Sequence, residues 1–231
     1  KMKIIRILLI VIAILYIMFL YLDISNIRSY RISTIMKFTS IILISIISFL
    51  GQEYSYNNRD RIILQAGFFI TIFADLFLLI LDKNYIVGIA LFSIVQILYS
   101  VRYGLNGART TIIGFSILFL NLIIVHIITG IQFLIIISIY YSICLLISTI
   151  RGLKLYLHRL YSSPNRHMIA LGMMFFLLCD INVVFSYIVG RMGWTNIIGY
   201  DLYRISSVSI WLFYLPSQVL LCLSGYRYEL T

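Results

Sequence analysis

Long uninterrupted apolar runs are the feature that most limits what this chain can fold into. Eight of them, each edged by charged or turn-forming residues, cover most of the sequence: 7–22, 32–50, 62–81, 85–101, 111–128, 131–150, 167–190 and 205–224. A helical bilayer crossing needs roughly 20 apolar residues, so each run is about one crossing long. Lipid offers no partner to an unpaired backbone group, and the runs lack the two-residue period of barrel strands. Each run therefore predicts a transmembrane helix.

The composition excludes a soluble protein. Hydrophobic residues make up 62% of the 231 residues and charged residues only 11%, whereas an ordinary soluble domain has about 25% charged residues. The mean hydropathy is +1.03, and no polar linker separates one part of the chain from another. We expect an all-α polytopic membrane helical bundle of about eight transmembrane helices, formed by residues 1–231 as a single integral membrane domain.

The net charge of +10 indicates contact with membrane lipids rather than with nucleic acid, because the Lys and Arg residues are spread along short loops. Cytoplasmic loops accumulate Lys and Arg. With the first residue inside, two thirds of these residues fall in the inner segments. We therefore expect both termini to be cytoplasmic and the protein to be integral to the cell (cytoplasmic) membrane.

Metal and cofactor chemistry have no motif in this sequence. The three cysteines lie singly inside apolar runs, without C-x-x-C spacing, and His126 is predicted at the opposite side of the membrane from His158 and His167. The three histidines therefore cannot surround one metal ion. Serine-hydrolase elbows, phosphate-binding loops, H-E-x-x-H and dinucleotide fingerprints are absent from the sequence. We expect no metal and no cofactor, so any chemistry must come from carboxylates.

Three ionisable residues lie inside predicted helices: Lys37, Asp75 and Asp180. An ionisable group in the hydrocarbon is expensive, so each of them is a candidate functional residue. At 1.5 Å per residue they lie roughly 9 to 15 Å from the outer ends of their helices, all in the same half of the bilayer. Asp75 and Asp180 are the candidate catalytic pair. The alternative is a buried salt bridge with Lys37 that only fixes the bundle.

Several neutral polar residues extend this set toward the middle of the membrane. Gln96, Asn182, Tyr214 and Gln218 are expected to line the floor of a cavity beside the aspartates, and Tyr99 is a weaker candidate. The alternative for each of them is packing between helices, where membrane proteins routinely use polar side chains.

Four short elements, in order along the chain, resemble the motifs of one membrane-protein family. They are MKFT at 36–39, ADLFLL at 74–79 followed by Tyr85, Gly88, Phe92, Gln96 and Tyr99, GMMFFLLCD at 172–180, and YLPSQVLL at 214–221. The corresponding motifs of the YhhN-type lysoplasmalogenase family are K-P-x-T, G-D-x-x-L-L … G-x-x-x-F-x-x-x-H-x-x-Y, G-A-x-x-F-x-x-S-D and Y-Y-x-A-Q-x-L. The chain departs from them at Phe38, Ala74, Gln96 and Cys179, where the family has Pro, Gly, His and Ser.

The resemblance implies hydrolysis of the vinyl-ether bond of a lysoplasmalogen, a lysophospholipid, to a fatty aldehyde and a glycerophospho-alcohol. The chemistry of two carboxylates agrees with this, because vinyl ethers yield to acid through an oxocarbenium ion. We expect Asp180, the deeper residue, to act as the acid and Asp75, kept ionised by Lys37, to act as the carboxylate. Gln96 and Gln218 would position water or the substrate glycerol, and the lipid tail would enter between helices.

Two other classes of function remain open from the sequence. Buried Asp and Lys also serve transporters and proton-coupled carriers, although only one predicted span contains a proline, Pro216. A non-catalytic lipid-binding protein of the same fold is the other alternative, since Gln96 and Cys179 depart from the family pattern. The sequence leaves the oligomeric state open.

Overall fold

The computed structural model describes residues 1–25, 30–55, 57–104, 107–192, 196–197 and 200–228. Within these residues the eight helices long and apolar enough to span a membrane confirm the expected all-α bundle. They are α1 (Met2–Ser25), α2 (Tyr30–Leu50), α3 (Asn58–Asp75), α4 (Tyr85–Tyr103), α5 (Ala108–Thr129), α6 (Phe133–Leu157), α7 (Asn165–Met192) and α8 (Leu202–Leu223).

Three short elements interrupt the helical pattern. A 3₁₀ turn, Gly51–Tyr54, extends α2, and a π-helical segment, Leu76–Ile80, continues α3 directly after its last residue. Between α7 and α8, the two-residue strands β1 (Asn196–Ile197) and β2 (Tyr200–Asp201) pair antiparallel. A π-helical turn is rare and is found mostly near functional sites, so the one after α3 directs attention to Asp75.

Several helix ends follow from local side chains. The Asn57 side chain accepts a hydrogen bond from the Asp60 backbone N–H at 2.7 Å, and Asp201 does the same for Arg204 at 3.0 Å. These caps satisfy backbone donors that a helix start leaves unpaired. At the end of α5, Gly130 adopts φ +67°, a left-handed conformation that glycine adopts without strain.

Consecutive helices run antiparallel, and Lys1, which pairs with Glu53, lies at the same end of the bundle as the last described residues. The Arg227 backbone N–H donates to the Tyr54 carbonyl at 2.6 Å, and Ser55 pairs with Tyr226. We call this end the termini face and the opposite end, near Ser25, the far face. The α7–α8 contact is the most extensive, and α4 packs on both α3 and α6. Asp75, Lys37 and Asp180 lie in the half of the bundle toward the far face.

The outer surface of the bundle is apolar. Ile17, Ile127 and Ile128 are among many large side chains left exposed, at 67%, 73% and 77%. Water would oppose such continuous apolar exposure, whereas a lipid bilayer favours it. The protein is therefore an integral membrane protein.

A charged pair lies buried near the termini face. Both residues fall outside the apolar runs, where loops were expected from the sequence. Arg102, in the last turn of α4, donates from Nε and Nη2 to the two carboxylate oxygens of Asp60 in α3, at 2.7 and 2.8 Å. Both side chains are almost completely buried. Ser224 and Tyr161 also bond to this pair, at 3.0 and 2.7 Å. The network joins α3, α4, the α6–α7 connection and the end of α8.

Candidate functional site

Asp75 is the last residue of α3, immediately before the π-helical segment, and only 5% of it is exposed. Its Oδ2 accepts a hydrogen bond of 2.7 Å from the hydroxyl of Tyr214 in α8. The structure thus brings two of the sequence-predicted site residues into direct contact. The contact crosses between helices that are far apart in the chain, so the sequence alone could not pair them.

Asp180, in the middle of α7, has one side-chain donor among the described residues. The hydroxyl of Tyr141 in α6 donates to its Oδ2, and Cys179 is its neighbour in the chain. Asp180 is partly exposed, whereas Cys179 is buried. Each of the two carboxyl groups thus accepts a hydrogen bond from one tyrosine, and Asp180 is the more exposed of the two.

The two carboxyl groups share neighbours. The Tyr141 ring, whose hydroxyl bonds Asp180, and the Tyr214 ring, whose hydroxyl bonds Asp75, both contact the ring of Phe92. The two aspartates therefore face one common region between α3, α6, α7 and α8.

Aromatic rings enclose this region. The Phe92 ring centroid lies 6.2 Å from that of Tyr141, 6.0 Å from Phe176 and 6.3 Å from Tyr214. Trp211 stands edge-on to Tyr214 with centroids 5.2 Å apart. Such rings keep out bulk water, and their faces attract positive charge. A carboxyl pair inside an aromatic enclosure suits a reaction that develops a cation.

Lys37 has a different partner from the one that the sequence suggested. Among the described residues its ion pair is with Asp23 of α1, at 2.8 Å from Nζ to Oδ2, and not with Asp75 or Asp180. Lys37 also lies 5.2 Å from the centroid of Trp211. The expectation that Lys37 keeps Asp75 ionised is therefore wrong. Asp23 falls one residue beyond the first apolar run and looked like a loop residue, but α1 continues to Ser25.

The neutral polar residues of the predicted set divide into two groups. Asn182 donates to the Leu178 carbonyl of its own helix at 2.8 Å and is not joined to the carboxyl pair. Gln96, Tyr99 and Gln218 are completely buried between helices on the termini-face side of the carboxyl pair. Gln96 accepts a hydrogen bond from Ser148 at 2.6 Å.

Sequence reasoning missed three residues around the carboxyl pair: Asp23, Tyr141 and Trp211. Tyr141 carries a phenol inside an apolar run, the same signal that selected Tyr99 and Tyr214. With 18 tyrosines in the chain, that signal cannot show which of them reaches an aspartate. Trp211 gave no polar signal, because an aromatic residue in a membrane helix is ordinarily packing.

An apolar groove opens on the lipid side of the bundle, between α1 and α8. Its volume is about 320 Å³. Its lining is entirely aliphatic except for Tyr16 and Pro216: Leu9, Ile12, Ala13, Tyr16, Leu215, Pro216, Val219 and Leu220. Leu215 follows Tyr214 directly, so the groove runs beside the carboxyl site.

These features define a polytopic membrane protein with a carboxyl site buried in one half of the bilayer. Within the described ranges, no three His, Cys, Asp or Glu side chains come together as metal ligands would. The model of the YhhN family matches residues 32–224, and the chain belongs to this family. Neither the curated proteins nor the solved structures include a match to the chain.

Proposed function

We propose that the protein hydrolyses the vinyl-ether bond of a lysoplasmalogen, releasing a fatty aldehyde and a glycerophospho-alcohol. The observation that carries this proposal is the pair Asp75 and Asp180, each bonded to a tyrosine and both facing one aromatic enclosure. An acid, a carboxylate and a site for a transient cation are what vinyl-ether hydrolysis requires. Membership of the YhhN family agrees with the proposal.

The reaction needs one protonated and one ionised carboxyl group. The acid gives its proton to the β-carbon of the vinyl ether, whose π electrons form the new C–H bond and leave an oxocarbenium ion. The carboxylate takes a proton from water as the water oxygen bonds to the cationic carbon, which gives a hemiacetal. The hemiacetal then breaks its C–O bond to the glycerol: the carboxyl group that took the proton from water gives it to the leaving oxygen, and the first carboxyl group takes the hydroxyl proton, which yields aldehyde and alcohol and restores the pair. One water molecule is consumed, and the division of roles resembles that of a glycosidase pair.

We assign Asp75 as the acid and Asp180 as the carboxylate, the reverse of the assignment made from the sequence. That assignment depended on Lys37 facing Asp75, but Lys37 pairs with Asp23. Asp180 accepts a hydrogen bond from Tyr141 and is more exposed than Asp75, and less complete burial favours the ionised form of a carboxyl group. Asp75 has Tyr214 as its donor and lies deeper among the rings.

The enclosure supplies the rest of the catalysis. Phe92, Phe176 and Tyr214 pack edge to face against one another beside the carboxyl pair, and a ring face turned toward the oxocarbenium ion would stabilise it by about 0.5 to 2 kcal/mol. The groove between α1 and α8 would hold the alkenyl chain. Lys37 and Asp23, nearer the far face, would contact the charged headgroup of the lysophospholipid.

The test is aldehyde release from a lysoplasmalogen by the purified protein. We expect Asp75→Asn and Asp180→Asn each to abolish release while the proteins elute as folded material. Asp82→Asn is the matched control, because Asp82 is exposed and its left-handed backbone, φ +47°, is one that Asn adopts readily. A fully active Asp75→Asn protein would rule out this mechanism. Uptake or proton flux dependent on Asp75, without aldehyde, would instead favour the transporter.

We also propose that the protein lies in the cell membrane with both termini cytoplasmic. The support is the excess of Lys and Arg in segments at the termini face. Reporter fusions at residue 228 and in the α5–α6 connection test this orientation. Cytoplasmic activity at the first and external activity at the second are expected, and the opposite pattern would reverse the topology.

A further inference from the structure

Helices α4 and α8 run in the same direction, and long side chains connect them at two levels. In the half of the bundle toward the far face, the ring of Phe92 in α4 contacts that of Tyr214 in α8. Near the termini face, Arg102 donates to Ser224 across the same two helices, at 3.0 Å, and these partners are 122 residues apart in the chain. Phe92 and Tyr214 have the same separation in the printed numbering. Because both helices rise by the same amount per residue, pairs with this offset between the two contacts lie at the same height in the bundle.

Gln96 and Gln218 share this offset and therefore occupy one level between the two contacts. Each lies four residues, about 6 Å along the helix, from the Phe92–Tyr214 level. Both side chains are completely buried. We call this level the glutamine rung. It lies one helical turn from the hydroxyl that bonds Asp75.

The glutamine rung carries polar atoms that lack partners among the described residues. These atoms are Nε2 and Oε1 of Gln218 and Nε2 of Gln96. One turn further along α4, the buried hydroxyl of Tyr99 also lacks a hydrogen-bond partner among the described residues. An amide buried without hydrogen bonds costs roughly 1 to 3 kcal/mol. Buried water typically resolves such a cost, since it binds where two to four polar groups converge.

A small cavity near the termini face continues this row of polar atoms. Its volume is about 10 Å³, close to the roughly 10–15 Å³ that one water molecule requires. Ser48, Gln65 and Cys222 are among its lining residues. Cys222 lies one turn beyond Gln218, and it interacts electrostatically with Tyr99. The cavity and the glutamine rung are thus adjacent levels along α8.

We propose that these groups form a water-binding row, from the termini-face cavity past Tyr99 and the glutamine rung to Tyr214 and Asp75. The row supplies the water that hydrolysis consumes, so this part of the inference rests on the proposed function. The row and the α1–α8 groove use different residues of α8 at similar heights: Gln218 and Cys222 belong to the row, and Leu215, Val219 and Leu220 line the groove. Water in the row therefore reaches the carboxyl pair by a route separate from the groove that would hold the substrate chain.

The first test measures water directly and does not depend on activity. Hydroxyl radicals produced by brief X-ray irradiation of the purified full chain label side chains that lie beside bound water. Tyr99 and Met173 are equally buried, both at 0% exposure, and methionine is intrinsically the more reactive. We expect Tyr99 to be labelled faster than Met173. Tyr99 protected to the same degree as Met173 would overturn the proposal and indicate dry packing between α4 and α8.

The second test removes the glutamine rung. Gln218→Met keeps the length of the side chain and removes its amide, so it should fold. We expect it to lower Tyr99 labelling by about threefold or more, because the water loses a polar partner. Unchanged Tyr99 labelling in this variant would overturn the role of the rung. If Gln218→Met does not fold, labelling of the unaltered chain still decides the proposal.

Kinetics separate the water row from the hydrolase. We expect Gln218→Met to lower kcat about tenfold, the factor for one lost hydrogen bond, without changing KM for the lysolipid. Asn121→Leu is the control, since this amide lies on exposed α5 and bonds its own helix. A raised KM with unchanged kcat would overturn water delivery in favour of substrate binding. If Tyr99 is labelled but the protein releases no aldehyde, the result would support the water-binding row and overturn the proposed hydrolysis of a lysoplasmalogen.

Discussion

At the scale of single residues, the two tyrosine hydroxyls are the groups that distinguish the carboxyl pair from ordinary buried aspartates. Tyr214→Phe and Tyr141→Phe each remove one donor and leave the ring in place. We expect Tyr141→Phe to lower the rate of aldehyde release about tenfold or more, since a hydrogen bond to the ionised Asp180 contributes roughly 1.5–3 kcal/mol. Tyr214→Phe removes a bond to the protonated Asp75, which contributes roughly 0.5–1.5 kcal/mol, and should lower the rate about fivefold. Tyr187→Phe is the control, because Tyr187 is exposed and contacts Arg191. Equal rates for all three variants would contradict a role for the hydroxyls.

Cys179 allows a finer test of the same idea. Cys179 is buried next to Asp180 in α7, and serine stands at this position in the family motif that this part of α7 resembles. Cys179→Ser keeps a side chain that can donate and should retain aldehyde release, whereas Cys179→Ala removes that group and should lower release about fivefold, the effect of one hydrogen bond. Release rates of both variants check this. An alanine variant as active as the parent would show that the thiol only packs.

The sequence predicted the two aspartates but not their partners. An ionisable group inside an apolar run is conspicuous because of its cost, so Asp75 and Asp180 could be selected from the sequence alone. The partner of Lys37 could not, because the apolar run ended before Asp23 although the helix did not. Tyr141 could not be selected either, since hydropathy does not reveal which face of a uniformly apolar helix meets the site.

At the scale of elements, a side chain of α1 replaces the backbone hydrogen bond that the proline inside α8 removes. Pro216 has no backbone N–H, so the carbonyl of Leu212, four residues earlier, loses its helical hydrogen bond. The hydroxyl of Tyr16 in α1 donates to this carbonyl at 2.9 Å. Tyr16 thus joins α1 to α8 beside Tyr214. The apolar runs predicted both helices, but this junction depends on their contact in three dimensions.

The junction predicts a coupling between Tyr16 and Pro216. Tyr16→Phe should lower the unfolding free energy by about 1 kcal/mol, because it leaves the Leu212 carbonyl unpaired in lipid. In a Pro216→Ala background the helix regains its own N–H, and the same substitution should cost less. Thermal unfolding of the two single variants and the double variant measures the coupling. Strictly additive effects would contradict the junction.

At the scale of the whole molecule, two groups of buried polar residues lie at different heights along the membrane normal. The carboxyl site lies in the far-face half, and the network around Asp60 and Arg102 joins four parts of the chain near the termini face. The order and number of helices followed from the apolar runs. Their neighbours did not, because a helix that is apolar on all sides gives no sign of which helix it will contact.

The separation predicts that the Asp60–Arg102 pair supports stability and not catalysis. Arg102→Met leaves the buried carboxylate of Asp60 without its cation, which should lower the unfolding free energy by about 3–5 kcal/mol. Adding Asp60→Asn removes that charge and keeps a polar partner for Tyr161, so the double variant should be more stable than Arg102→Met alone.

The three cysteines are free and buried, so a thiol-reactive dye reports unfolding of these variants during heating. Aldehyde release by the folded double variant should remain near that of the parent, because the pair lies several turns of α4 away from the Phe92 level of the carboxyl site. A double variant less stable than Arg102→Met would show that the pair acts through more than its buried charge. A folded double variant without activity would show that the termini face is coupled to catalysis.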